Sequence, residues 1–165
     1  MRPGPVGIAS TGTSRRPLEA IPTGPGRTSL AKDEFVLEIR LPPRPAHSGD
    51  AYLRFIPRTE MDIAVVGCGV NVTLDAAGVC TAARVVLGAV APTAVVVADA
   101  ASALIGHTLD AATLAKLDAA AQAACKPITD KRGTIEYRTK VAGVMARRTA
   151  AIAFERAQGR AVKGH

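Results

Sequence analysis

Hydrophobic and polar residues alternate most regularly between residues 64 and 74. Ala64, Val66, Cys68, Val70, Val72 and Leu74 fall on one face of an extended chain, and Gly67, Gly69, Asn71 and Thr73 on the other. A period of two marks a half-buried strand, because successive side chains of an extended backbone point to opposite faces. Asp75-Ala76-Ala77-Gly78 follows as a turn, and residues 79–87 return as a second strand. Residues 52–56 form a shorter strand ahead of them. The three make a meander whose apolar face needs a cover.

The period lengthens to that of a helix after Pro92. Residues 99–105 read as a helix with Gly106 as its stop. Thr108 or Asp110 caps a second helix over 111–125, which Pro127 ends. Asp130 opens a third over 133–158, with Tyr137, Val141, Val144, Met145 and Ile152 in its apolar stripe. The expected fold class is α+β: a three-stranded antiparallel sheet covered on one side by C-terminal helices. The domain runs over residues 50–156, and residues 157–165 form a frayed tail.

The first 45 residues have a different texture, dense in Pro and Gly. Residues 6–10 and 35–41 read as short strands, the second with Phe35, Leu37, Ile39 and Leu41 on one face. Pro42-Pro43-Arg44-Pro45 ends it, since proline removes donors and fixes φ. Residues 42–50 read as a linker.

Composition narrows the function classes. The chain has 165 residues, 48% of them hydrophobic but only 3% aromatic, so Ala and Val must fill the core. The net charge is +7, and residues 132–163 hold eight Lys/Arg against two Glu. These cations sit among Ala, Val and Met at helical spacing, without the aromatic or amide readers of a nucleic-acid interface. They read as a solvated helix face or one that meets an acidic subunit, and nucleic acid is not an expected partner. The apolar run 87–106 is broken by Pro92 and Asp99, so no membrane span is expected. MRPGPVGIAS has no apolar signal core, and Cys68, Cys80 and Cys125 read as buried thiols of a reducing, cytoplasmic setting.

Few residues carry candidate chemistry. The cysteines lack metal-ligand spacing, and His47, His107 and His165 lie far apart in loops and the tail, so neither a metal site nor a catalytic residue is assigned. Gly24-Pro25-Gly26-Arg27-Thr28-Ser29 imitates a phosphate loop, but Pro25 and the missing third glycine spoil it; it reads as a turn. Gly67 and Gly69 inside a strand allow a close approach of backbone or helix. Arg58 and Asp62 read as an ion pair closing a turn. Arg54 alternates with Leu53 and Phe55 and so faces away from them.

The runs Tyr52-Leu53-Arg54-Phe55, Arg58-x-x-x-Asp62-x-Ala64, Arg84-x-x-Leu87-Gly88 and Ala91-Pro92-Thr93 occur in order. Leu104-Ile105-Gly106, Pro127-Ile128-x-Asp130-x-Arg132-Gly133-x-x-Glu136-Tyr137-Arg138 and the Arg147-Arg148 helix follow. Together they resemble the C-terminal domain of the FAD-carrying medium subunit of molybdenum hydroxylases, the carbon monoxide dehydrogenase and xanthine dehydrogenase family. Thr23 to Glu34 resembles the last piece of that subunit's FAD-binding α+β domain. The resemblance makes residues 1–45 a remnant of that domain and the chain a truncated subunit. Val96 and Ala101 depart from it, standing where many members have Arg and Glu.

The resemblance implies FAD as cofactor, a molybdopterin-binding large subunit and a 2Fe-2S small subunit as partners, and oxidoreductase activity only in that complex. It places Phe35, Val36 and Arg54 at the isoalloxazine end of FAD. A cation at that edge stabilises the reduced, anionic ring. The alternative is a non-enzymatic docking module of the same fold, without flavin.

Overall fold

The structure is a computed structural model, and it describes residues 14–58 and 62–161. It divides into two compact units, Met1–Arg44 and Pro45–His165.

In the first unit, a 3-10 turn at Leu18–Ala20 leads into a small antiparallel hairpin of β1 (Pro22–Gly24) and β2 (Arg27–Thr28). Pro25 and Gly26 make its turn, with Gly26 at φ +65°, where a side chain would be strained. The phosphate-loop imitation is therefore a hairpin turn. Arg16 ties the hairpin to the chain beyond it, donating to Ser29 O at 2.7 Å and to both Glu34 carboxylate oxygens at 3.1 Å. The expected strand 6–10 lies outside the described residues. Residues 35–41 form no strand, which corrects that expectation. A strand needs a ladder partner for its backbone groups, and no described segment pairs with this one. Its apolar side chains stay exposed, Phe35 by 66% and Leu41 by 80%.

The second unit is a four-stranded antiparallel sheet under three helices. The strands β3 (Ser48–Phe55), β4 (Val66–Leu74), β5 (Cys80–Gly88) and β6 (Val95–Val96) lie in that order. Three strands were expected. The fourth is only two residues long, joined to β5 through Val86 and Val96 and through Leu87 and Val95. β3 also begins four residues before the expected start, so Ser48, Gly49 and Asp50 belong to the sheet rather than to a linker. The β4–β5 turn is the expected one: Asp75 Oδ1 accepts from the amides of Ala77 and Val79, each at 2.9 Å, and Gly78 has φ +80°.

The helices are α1 (Ala98–Leu104), α2 (Ala111–Ala123) and α3 (Ile135–Ala157). Asp110 caps α2 by accepting from Thr113 N at 2.7 Å. α3 is capped by Thr134, which accepts from Tyr137 N at 3.1 Å, and not by Asp130. Asp130 instead closes a tight turn with Gly133. The buried face of α3 overlaps the expected stripe at Met145, with Val141 and Ile152 packed at its edge, but alanines make up most of it. Ala142, Ala146, Ala150, Ala153 and Ala157 are buried with Met145 and Thr149, whereas Tyr137 is exposed and Val141, Val144 and Ile152 are half-buried. Small side chains let the helix backbone press onto the sheet. Among the described residues no helix is long and apolar enough to cross a membrane.

Helix α3 and strand β3 approach closely at Gly49. A Cβ there would collide with Ala153 O and Ala157 N, both backbone atoms of α3. Neither can rotate aside, so the strand or the helix must shift. Gly49→Ala should cost about 1–3 kcal/mol or more, as overpacking does. Its midpoint in urea should fall clearly below that of the parent protein. Equal midpoints would show that α3 does not sit this close to β3.

The core between sheet and helices contains Val65, Val66, Cys68, Val70, Val72, Val85, Leu87, Leu104 and Leu117. Val66, Cys68, Val70, Val72 and Leu74 alternate into it as expected, while Ala64 precedes the strand. Cys68 and Cys80 are buried, and Cys125 is half-buried.

Candidate functional site

The helices cover one face of the sheet, and the candidate site lies on the other. The register places Arg54 opposite Gly67, Tyr52 opposite Gly69 and Asp50 opposite Asn71. Across the next ladder Gly67 faces Gly88, Gly69 faces Val86, and Asn71 faces Arg84. The middle of this open face is therefore a lane of three glycines, bordered by Tyr52, Arg54, Asn71 and Arg84. The Tyr52 ring lies along the lane. A Cβ on Gly67 would come within 2.8 Å of its hydroxyl, and one on Gly69 within 3.9 Å of its ring. The two glycines were expected to admit backbone or a helix; the group that approaches them is the Tyr52 side chain. The glycines let the Tyr52 ring lie low on the sheet and cover them, so the surface offered to a partner is the outer face of exposed Tyr52 with the exposed Arg54 guanidinium beside it, which suits a planar ring.

Arg54 points away from Leu53 and Phe55, which pack against the core, as the alternation requires. Phe35 and Val36 belong to the first unit, where both are exposed just after the anchored Glu34. The two groups lie in different units. Tyr52 is the feature that sequence reasoning missed. Its signal was present, because it shares a parity with Arg54, but its position over Gly67 depends on the strand register.

At one end of the sheet is a network of charges. Arg58 Nε donates to Asp62 Oδ2 at 3.3 Å, the pairing expected from the sequence. Arg132 Nε donates to the other Asp62 oxygen at 3.2 Å. Arg138 is buried; its Nη2 donates to Asp130 Oδ1 at 2.6 Å and its Nη1 to Val65 O at 3.1 Å. Burial pushes the Asp62 carboxyl up, but the bonds from Arg132, Ile63 N and Arg58 outweigh it and hold the group below its usual value. The Arg138 bond, reinforced by Arg132 N, holds Asp130 low as well. Both remain ionised near neutrality, so neither can act as a general acid there. Burial pushes the Cys68 thiol up to about 11, which leaves it protonated and unreactive. Among the described residues no group of three or more His, Cys, Asp and Glu could hold a metal ion.

Comparisons with known proteins agree with this architecture. The family described as the CO dehydrogenase flavoprotein C-terminal domain matches residues 51–153. The carbon monoxide dehydrogenase medium chain of Afipia carboxidovorans is 39% identical over 134 residues, covering 81% of this chain and 44% of its own length. The putative xanthine dehydrogenase FAD-binding subunit of Escherichia coli K12 is 28% identical over 145 residues, 87% of this chain and 49% of that one. Among solved structures, reconstituted CO dehydrogenase from Oligotropha carboxidovorans superimposes with a TM-score of 0.84 at 32% identity, over 93% of this chain and 53% of that one. The chain thus spans about half the length of the relatives it matches.

Proposed function

The chain belongs to the CO dehydrogenase flavoprotein C-terminal domain family, and from that membership we propose that it is part of the FAD-carrying subunit of a molybdenum hydroxylase. In this role it works in a complex with a molybdopterin-binding large subunit and a 2Fe-2S small subunit. FAD, when bound, would supply the redox chemistry that links the iron–sulfur subunit to an electron acceptor. The chain itself holds the flavin and docks the partners.

The observation that carries this reading is the glycine lane beside Tyr52 and Arg54. Gly67 and Gly69 let the Tyr52 ring lie flat on the sheet, where its exposed face can stack on the flat ring of a flavin, and Arg54 places a cation beside it. Phe35 and Val36 carry the same assignment by resemblance. The pyrophosphate end of FAD has no such match. Dinucleotide phosphates are held at a glycine turn that opens a helix, and the only helical piece among residues 14–47 is the three-residue turn Leu18–Ala20. The second reading is a docking module of the same fold without flavin.

A titration separates the two. The purified chain should be colourless. Lumiflavin, the ring without phosphates, should bind about as tightly as FAD, and Arg54→Gln should weaken both by about 3- to 10-fold, as loss of one partly exposed charged contact does. Equal affinity in parent and variant would remove Arg54 from the site. No binding of either compound would favour the docking module.

A further inference from the structure

We propose that the turn between α2 and α3, with the first turn of α3, is a preorganised docking surface for an acidic protein partner, a second subunit of the complex. The proposal rests on the subunit reading above and adds the surface through which that subunit is met. Its centre is apolar. Ile128 and Ile63 are 70% and 65% exposed, and Ile135 and Tyr137 are exposed near them. Large apolar side chains gathered in the open at one end of a domain mark a contact surface more often than four scattered ones do.

Bonds on every side bring these residues together. Thr129 Oγ1 accepts from Ile135 N at 3.1 Å, which holds the Ile128 segment against the start of α3. Ile63 follows Asp62, whose carboxylate receives Arg132 at 3.2 Å. The Tyr137 ring meets Phe55 edge-on at 6.4 Å between centroids.

The turn is held in place from below. Asp130 and Gly133 exchange backbone bonds at 3.1 and 3.2 Å. Asp130 Oδ1 accepts from Arg132 N at 2.8 Å and from buried Arg138 at 2.6 Å, and Arg138 reaches on to Val65 O. A surface fixed before the encounter loses little conformational entropy in binding.

Charge identifies the occupant. Asp62 and Asp130 are both engaged by arginines, so their charge is matched locally. Around the apolar centre stand exposed Lys126, Lys131 and Lys140. Glu136 is the exposed carboxylate on the turn and the first helical residues. An apolar centre within a cationic rim complements a protein surface with an apolar patch and acidic margins.

The test uses the full chain and, as probes, the separately purified molybdopterin-binding and iron–sulfur subunits of the same complex. One of them should bind, with affinity falling severalfold as NaCl rises from about 50 to about 300 mM. Ile128→Asp and Lys131→Glu should each weaken binding about tenfold. Lys131→Glu should also flatten the salt dependence. Both side chains are exposed, so both variants should melt within a few degrees of the parent. Binding that neither variant changes would overturn the surface while leaving the subunit reading intact. Absence of binding to both subunits would overturn the surface and the subunit reading together. Sedimentation showing a dimer of this chain that Ile128→Asp dissolves would also overturn the proposal, by assigning the surface to a second copy.

Discussion

Val70→Asp is expected to unfold the second unit. Val70 is 2% exposed in the middle of β4, with Ala51 and Val85 as its neighbours in register and the helices above it. A carboxylate at this position loses its water and gains no cation in return. The buried arginine, Arg138, is already held by Val65 O and Asp130 at the end of the sheet. The new group must stay charged in an apolar core or take up a proton, and either course costs several kcal/mol. A domain of this size is stable by only about 5–15 kcal/mol, so most of its margin disappears. Asn71→Asp, one residue away on the exposed face, should change stability by less than about 0.5 kcal/mol. Urea titration followed by circular dichroism measures both. Similar midpoints for the two variants would mean that the assigned faces of β4 are wrong.

That contrast was legible in the sequence because a strand's alternation is local. Wherever tertiary contact overrode a local pattern, the reading failed. Ser48-Gly49-Asp50 has the composition of a turn, yet it is strand, because β4 supplies ladder partners and Gly49 leaves room for α3. The α3 stripe was assigned from its largest apolar residues. The helix buries mostly alanines, which let it lie close to the sheet, together with Met145 and Phe154. β6 was missed because two residues carry no period. Residues 35–41 have a strand's pattern but no ladder partner among the described residues.

The candidate site divides along the same line. The direction of Arg54 follows from parity alone. The lane beneath Tyr52 depends on a register that aligns Gly67 with both Arg54 and Gly88. The charge network was half visible. Arg58 and Asp62 are four residues apart and could be paired on sight, whereas Arg138 reaches Val65 across 73 positions.

Arg138→Met should also destabilise the second unit, and its dependence on pH distinguishes it from a simple packing defect. Methionine can replace the aliphatic stem of Arg138, but not the donor to Val65 O, which would be left buried and unpaired. Such a loss costs about 1–3 kcal/mol. Burying the guanidinium carries its own penalty, and Arg138 Nε is buried without a partner, which keeps the net cost within that range. Asp130→Asn should be the more damaging change, because it leaves the buried cation without its carboxylate. The double variant should resemble Arg138→Met alone, since the two residues share one interaction. Asp130 is held below its usual value of 3.8, chiefly by the Arg138 bond. A lowered carboxyl gives a contribution that is fully present above the unfolded value and lost as pH falls through the folded one. In the parent protein that contribution should be intact at pH above about 5 and fade in the acid range below about 4. In Arg138→Met most of it is absent at every pH, so the urea midpoint should fall less steeply on acidification. The share held by Asp62, through Arg132 and Arg58, should remain in both proteins. Parallel pH curves for parent and variant would show that Arg138 does not govern the ionisation of Asp130.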